Sequence, residues 1–318
     1  ESASRLKCLS IIIIITTILI ICYKINVTIE RPHPRLLERS QLALRGALGY
    51  SLRSTNEDLF RYIFKPARSF FRGFALRKLR SIPKPLIISP LYKDDSNYYF
   101  IIRIFGKAIY YTDGIVHALI SLGERTLYGS KIHVNSIDLI NEIGNKVVNI
   151  YDGKVNDFNI QEYIIKDDDI KEFAKHMVKS NSIIVDLNFI TPLSILRNGK
   201  NVIEDDSLNL ADIVAYAARR RSLLSYFYLN NKMYYTPDYV NQLKEWCNNN
   251  SSVIERKFIP INISIKGKRG FYKGNITFNI NNDNTLAIDV VDLLKFSEFV
   301  GIGKSSAFGM GQYKLSIK

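Results

Sequence analysis

The order in which strand-like and helix-like segments alternate constrains the fold of this 318-residue chain more than any other feature. In the first half, apolar alternation predicts strands at residues 23–30, 98–105, 132–137 and 146–151, and helical spacing predicts helices at residues 40–53, 57–64 and 113–122. The second half predicts strands at residues 183–190, 258–266, 271–280 and 312–317, with helices at residues 208–229 and 287–300. The chain therefore uses one series of elements twice.

We interpret each half as the order β-α-β-β-α-β, which is the ferredoxin-like arrangement. The predicted fold class is α+β, with tandem ferredoxin-like (RRM-like) domains at residues 21–165 and 182–318. The acidic stretch at residues 166–171 is interpreted as a solvated connector between them. Residues 1–20 are set apart as an apolar N-terminal extension.

The apolar run near the start of the chain allows more than one interpretation. Residues 8–23 read CLSIIIIITTILIICY, and Arg5 and Lys7 precede them. A membrane span needs about 20 apolar residues, and no small-residue cleavage site of a signal peptide follows this run. Its β-branched content is typical of a buried strand. A membrane-anchored interaction protein stays open as the weakest of three functional hypotheses, and we expect no membrane partner.

The basic residues are concentrated in one part of the chain. Lys and Arg outnumber Asp and Glu by 44 to 30, which gives a net charge of +14. Residues 31–93 alone hold 14 basic side chains against three acidic ones, a net charge of +11. A concentrated basic zone favours a nucleic-acid partner, because neutralising phosphates releases counterions. A generic basic surface is the alternative, and charge alone does not decide between the two.

The cysteines give no sign of a metal site. Cys8, Cys22 and Cys247 have neither the spacing of zinc ligands nor that of a disulfide framework. We therefore predict no metal and no cofactor, and a reducing cytoplasm as the location.

The most specific motif is the glycine-rich stretch GIGKSSAFGMGQY at residues 301–313. Glycine lacks a Cβ and permits positive φ, so backbone amides can approach a phosphate closely. A P-loop is excluded, because Glu298 stands where its first glycine belongs and the predicted order is helix then strand. A tight connection without a ligand is the alternative. The RNA-binding candidates in this motif are Gly301, Gly303, Lys304, Ser305, Ser306, Gly309 and Gly311.

Residues 299–315 (FVGIGKSSAFGMGQYKL) resemble the C-terminal glycine-rich motif of the CRISPR repeat-RNA endoribonucleases, a branch of the RAMP superfamily. Residues 44–49, 60–66, 119–129 and 189–200 resemble further segments of that family in the expected order. The resemblance implies two ferredoxin-like domains that bind CRISPR repeat RNA in the basic cleft between them. It also implies metal-independent cleavage that leaves a 2′,3′-cyclic phosphate and a 5′-hydroxyl. CRISPR effector subunits are further candidate partners, and a homodimer stays open.

Metal-free RNA cleavage needs a base for the 2′-hydroxyl, an acid for the leaving 5′-oxygen and a cation for the charged intermediate. His33 is the preferred candidate, because the family's active site lies near the loop between the first strand and the first helix. Members often carry a histidine at or just after that helix, where this chain offers Tyr50, Tyr62 and Lys65. The predicted catalytic residues are thus His33, Tyr50 and Lys65. A tyrosine is a poor base, so a slow enzyme and a non-catalytic RNA-binding subunit both stay open.

Arginines of the basic zone and of the second half are the remaining RNA-binding candidates. They are Arg45, Arg53, Arg68, Arg72, Arg219 and Arg220. The stretch FFRGF at residues 70–74 interleaves aromatic rings with a cation and is predicted to stack on a base. Solvated surface charge and core packing are the alternatives for these residues.

Overall fold

The computed structural model describes residues 18–66, 82–94, 97–230, 232–263, 265, 267, 270–281 and 285–318. The first half contains β1 (Leu19–Glu30), α1 (Pro34–Glu38), α2 (Ser40–Thr55), α3 (Glu57–Phe64), β2 (Leu86–Ile88), β3 (Tyr92–Asp94), β4 (Asn97–Phe105), α4 (Thr112–Leu122), β5 (Thr126–Leu127), β6 (Ser130–Asn141), β7 (Lys146–Tyr151) and β8 (Ile165–Lys166). The second contains α5 (Asp167–Met177), β9 (Ser182–Phe189), β10 (Leu196–Arg197), β11 (Lys200–Asn201), α6 (Leu210–Ser225), α7 (Pro237–Asn250), β12 (Ser251–Ile261), β13 (Phe271–Asn281), α8 (Thr285–Val300) and β14 (Tyr313–Ile317).

Two antiparallel sheets organise these elements. The first has the order β2-β4-β1-β6, and the second has the order β12-β13-β9-β14. The first strand of each β-α-β-β-α-β motif is β1 in one sheet and β9 in the other. Each lies between the third strand of its motif (β4 or β13) and the fourth (β6 or β14), which is the ferredoxin-like order. The predicted α+β fold with tandem ferredoxin-like domains is confirmed. The boundaries 21–165 and 182–318 stay a proposal.

Strand β1 is the centre of the first sheet and pairs with β4 and β6 on its two sides. Its first five residues are all buried, and burial alternates only afterwards. The strand begins at Leu19 rather than at residue 23, so the end of the apolar run belongs to the sheet. Residues 1–17 lie outside the described residues. No helix among the residues described is long and apolar enough to cross a membrane.

The two halves share apolar and ionic contacts through α8. Phe299 packs in the first hydrophobic core and lies 5.7 Å from the guanidinium of Arg103 in β4. Arg103 pairs with Glu142 at 2.6 Å, and Lys314 of the second sheet lies 3.8 Å from the same carboxylate. Burial alone would raise the pKa of Glu142, but the charges of Arg103 and Lys314 hold it below its ordinary value.

The interpretation of residues 166–171 as a solvated connector is wrong. Helix α5 begins at Asp167, and the carboxylate of Asp169 accepts a 2.8 Å hydrogen bond from the backbone N–H of Lys166. Asp167 is buried, and its carboxylate accepts a 2.8 Å hydrogen bond from the guanidinium of Arg221. Arg221 also pairs with Asp292 in α8. Asp167 can be buried at the start of α5 because the buried guanidinium of Arg221 compensates the charge of its carboxylate.

Several element boundaries differ from the sequence-based prediction. Strand β2 lies between prolines and was not predicted, and neither was α7. Helix α6 ends at Ser225 and continues as a π-helical segment, Tyr226–Asn230, rather than as regular helix to residue 229. Strand β12 begins directly after α7, because Ser251 already pairs with Ile280 of β13.

Candidate nucleic-acid interface

A shallow groove of about 500 Å³ runs along α2. Residues at positions 42, 45, 46, 49, 50 and 53 lie on one face of this helix, because three- and four-residue spacing follows the helical period. The opposite face packs into the core through Leu44, Leu48 and Leu52. We call this depression the α2 groove. Its lining residues are Leu42, Arg45, Gly46, Gly49, Tyr50, Arg53, Phe60, Phe64 and Phe308.

Arg45 connects α2 with both α3 and the glycine-rich loop. Its guanidinium carbon lies 4.7 Å from the ring centre of Phe64 and 5.2 Å from that of Phe308. Burial lowers the pKa of Arg45 to about 10, which still leaves it charged near neutral pH. No carboxylate forms an ion pair with Arg45 within the part of the chain that the structure describes. The groove therefore holds a positioned cation whose charge is available to an anion.

Tyr50 lies on the groove wall with 62 % of its surface exposed. The guanidinium of Arg125, in the connection between α4 and β5, stacks over its ring at 4.4 Å. The Nε atom of Arg125 is buried and has no hydrogen-bond partner among the described residues. Sequence-based reasoning did not select Arg125, although the Gly-Glu-Arg at residues 123–125 was part of the resemblance.

Arg53 lines the same groove and is exposed in the last turn of α2. Lys65 follows the last residue of α3 and does not line the groove, but its Nζ lies 5.6 Å from the ring of Phe60, which does. The structure thus brings Tyr50 together with Arg45 and Arg53, and it places Lys65 next to them. Arg68, Arg72 and the stretch at residues 70–74 lie outside the described residues.

His33 does not line the α2 groove. It is the N-cap of α1, where its Nδ1 accepts a 3.1 Å hydrogen bond from the backbone N–H of Arg35. The backbone N–H of His33 donates a hydrogen bond to Oγ of Ser130, and the centre of its ring lies 6.3 Å from that of Tyr128 in a stacked arrangement. A neutral imidazole that accepts at Nδ1 carries its proton on Nε2. His33 therefore presents an N–H group to its surroundings, and its catalytic role stays a prediction.

Two glycines of the C-terminal loop are required by close contacts within the protein. Gly311 has φ +69°, and a Cβ there would lie 1.8 Å from the carbonyl oxygen of Ile302. Gly303 has φ +80°, and a Cβ there would lie 2.6 Å from the carbonyl oxygen of Ser194. Such distances exclude any side chain unless the backbone moves. The turn between α8 and β14 depends on these glycines whether or not RNA binds.

The same loop contacts the first half of the chain. A Cβ on Gly309 would lie 2.9 Å from the carbonyl oxygen of Ile88 in β2, and one on Gly301 would lie 3.0 Å from Ile87. Phe308 extends from the loop into the α2 groove. The glycine-rich loop is therefore a joint between the halves that places one aromatic ring beside the basic helix.

The polar residues of the loop are less exposed than expected. Lys304 is half-buried, and its backbone N–H donates a 2.8 Å hydrogen bond to the backbone carbonyl of Ser194. Ser305 adopts a left-handed conformation with φ +60°, and Ser306 is buried. Their RNA-binding roles stay predictions.

The two arginines of α6 lie away from the α2 groove. Arg219 is exposed. Nε of Arg220 donates a 3.0 Å hydrogen bond to the carbonyl of Val300 at the end of α8, and burial lowers its pKa to about 10. Arg220 thus makes an internal contact that supports the start of the glycine-rich loop, and the geometry gives no support to an RNA contact.

A second depression, of about 640 Å³, lies between the two halves. Arg39 and Lys273 are the basic side chains of its described lining, and Glu38 is an acidic one. Gln41 of α2 lines this cleft, whereas the next residue, Leu42, lines the α2 groove. Within the described ranges, no three His, Cys, Asp or Glu side chains are grouped as metal ligands. The basic surface that the sequence predicted is therefore stronger along α2 than in the cleft.

Comparison with known families agrees with this architecture. Residues 187–313 match the family described as CRISPR-associated endoribonuclease Cas6, and residues 18–162 match a family described as an N-terminal domain. The second half of the chain is therefore similar to the CRISPR-associated endoribonuclease Cas6.

Solved Cas6 structures share the fold of this chain at low sequence identity. A Cas6 product complex matches with a TM-score of 0.57 and 13 % identity, over 93 % of this chain and all of that chain. Cas6 of Thermus thermophilus matches with a TM-score of 0.52 and 13 % identity, over 94 % of this chain and 99 % of that one. A partial Cas6-RT-Cas1–Cas2 complex matches at 0.57 and 14 % identity, over 95 % of this chain but 46 % of that one. A search of curated proteins finds no significant match.

Proposed function

We propose that this chain is a metal-independent endoribonuclease that cuts CRISPR precursor RNA within its repeats to give guide RNA. The observation that supports this most directly is Arg45, held between Phe64 and Phe308 beside the exposed Tyr50. A positioned cation, an exposed phenol and the glycine-rich loop thus meet in one groove. The product complexes with the same fold give further support for an RNA substrate. A cytoplasmic location accords with this substrate.

In the proposed reaction, the 2′-oxygen of the RNA attacks the neighbouring phosphorus while the bond to the 5′-oxygen breaks. The 2′-hydroxyl proton passes to a water molecule, the 5′-oxygen takes up a proton from His33, and the products are a 2′,3′-cyclic phosphate and a 5′-hydroxyl. Arg45 and Arg125 stabilise the charge on the phosphorane. The imidazolium form of His33 is the candidate proton donor to the leaving 5′-oxygen, and it becomes a neutral imidazole in that step. Tyr50 and Lys65 orient the 2′-hydroxyl, so geometry and charge supply most of the acceleration.

Cleavage of the cognate repeat RNA in the presence of a chelator tests this proposal. Product that carries a cyclic phosphate is the expected result. His33→Ala should slow single-turnover cleavage, whereas His176→Ala should not. His176 is a matched control, because it is exposed on α5 and bonds only to the backbone carbonyl of Glu172 within the described residues. Unchanged cleavage by the His33 variant would remove that residue from the mechanism.

The second candidate function is a non-catalytic RAMP subunit that holds guide RNA within a CRISPR effector complex. No histidine lines the described part of the α2 groove, and Nδ1 of His33 is already engaged at a helix cap. These two observations favour binding over cutting. Tight binding of repeat RNA without product, in the same assay, would support this alternative.

A further inference from the structure

A cavity of about 750 Å³ lies on the side of α3 opposite to the α2 groove. Asp58 and Tyr62 line it, whereas Phe60 and Phe64 line the groove, and a two-residue offset turns a helix by about 200°. The volume falls within the range of about 300–1,000 Å³ that is typical of small-ligand sites. We call this cavity the tyrosine pocket. The lining residues that matter for its chemistry are Asn56, Asp58, Tyr62, Lys107, Tyr111 and Tyr228.

Three tyrosine rings form one wall of the tyrosine pocket. Tyr62 meets Tyr228 edge-on, with ring centres 5.7 Å apart, and lies 6.1 Å from Tyr111. Tyr62 and Tyr228 are held in the core, but 49 % of the surface of Tyr111 is exposed. The wall therefore presents one accessible aromatic ring backed by two fixed ones, which is the form of a stacking platform.

The backbone around the tyrosine pocket is fixed by a close approach between the halves of the chain. Tyr228 lies in the π-helical segment Tyr226–Asn230, and π-helical turns occur frequently at functional sites. Gly106 faces this segment with φ +63°, and a Cβ there would lie 2.6 Å from the carbonyl oxygen of Tyr228. The hydroxyl of Tyr228 donates to the carbonyl of Pro83 at 2.6 Å. The wall is therefore formed before any ligand arrives.

The polar groups of the pocket suit a nucleotide better than an apolar ligand. Lys107 is exposed, and no ion pair to it is found among the residues that the structure describes. The side-chain oxygen of Asn56 caps α3 by accepting a hydrogen bond from the backbone N–H of Leu59, which leaves the side-chain NH₂ group as a donor. Asp58 adds an acceptor. A nucleotide has a planar base that can stack on Tyr111 and edge atoms that can hydrogen-bond with Asn56 and Asp58. Its phosphate can pair with Lys107.

We propose that the tyrosine pocket binds one unpaired nucleobase of the bound RNA, which stacks on Tyr111 while Lys107 contacts an adjacent phosphate. The site is separate from the proposed cleavage centre in the α2 groove, although it rests on the proposal that the chain binds RNA. The two cavities are one helix diameter apart, about 10 Å. One RNA strand that crosses α3 therefore reaches both.

The test uses repeat RNA in which 2-aminopurine replaces each unpaired position in turn. At one position, binding by the complete chain should quench the fluorescence. Tyr111→Ala should abolish that quenching and weaken RNA binding about tenfold, and Tyr111→Phe should restore both. Tyr110→Ala is the matched control, because Tyr110 is the neighbouring residue, is 51 % exposed and lines a different cavity. Lys107→Gln should lower the salt dependence of binding by about one counterion.

The outcomes separate this inference from the proposed function. RNA binding without quenching at any position would contradict the proposal that the tyrosine pocket binds a nucleobase, and so would equal effects of Tyr111→Ala and Tyr110→Ala. Neither result would count against the proposed cleavage centre in the α2 groove. Failure of the unaltered chain to bind RNA at all overturns both.

Discussion

Replacement of Gly311 by alanine should destabilise the protein far more than an ordinary glycine substitution. The backbone at Gly311 has φ +69°, and left-handed backbone costs an alanine about 1–2 kcal/mol. The new Cβ would also lie 1.8 Å from the carbonyl oxygen of Ile302, so the loop backbone must shift, which costs about 1–3 kcal/mol more. We expect a total loss of about 2–5 kcal/mol in the free energy of unfolding.

Gly199 provides the control, because it has a similar φ of +84° and nothing within 4 Å of its would-be Cβ. Gly199→Ala should therefore cost only the conformational part, about 1–2 kcal/mol. Urea unfolding followed by circular dichroism gives both values if the slope with denaturant stays constant. Equal losses in the two variants would refute the claim that contacts within the protein require the loop glycines.

Three further predictions concern charged groups. Arg125→Ala should slow single-turnover cleavage about 100-fold, because it removes a cation positioned beside Tyr50; an unchanged rate would contradict the proposed role. Arg221→Met should cost about 3–5 kcal/mol in urea unfolding, because it leaves two buried carboxylates without their cation; a loss below 1 kcal/mol would contradict that. The pKa of Glu142 is lower in the folded protein than in the unfolded chain. The ionised carboxylate therefore stabilises the fold fully above the unfolded-state pKa, and this contribution is lost as the pH falls through the folded-state pKa. Glu142→Gln should therefore lose less stability between about pH 7 and pH 3 than the unaltered chain, and an identical pH profile would exclude this ion pair as the cause.

Most of the doubled order of elements could be predicted, because hydrophobic periodicity reports directly on strands and amphipathic helices, but the second strand of the first half was absent from the prediction. Strand β2 was missed because three residues flanked by prolines carry too little pattern. Helix α7 buries only Leu243, Trp246 and Cys247, so its apolar signal is weak. Thr236 and Pro237 do provide a helix-start signal there, and it could have been used.

The candidate site was predictable where it depends on one helix and not where it depends on tertiary contacts. Arg45 and Arg53 share a face of α2, and helical spacing alone places them together. Arg125 reaches Tyr50 only because β5 and α4 fold back against α2, and no local pattern reports that approach. A half-buried Arg220, bonded to the backbone of Val300, and an exposed Arg219 are likewise indistinguishable as neighbours in a sequence.

Helix α8 belongs to both hydrophobic cores, since Phe299 packs in the first and Leu294 in the second. Melting of either half would expose apolar surface of this one helix. Heating should therefore give a single cooperative transition, rather than one step for each ferredoxin-like unit. The contacts that hold α8 against both cores therefore also hold the two units in one relative position.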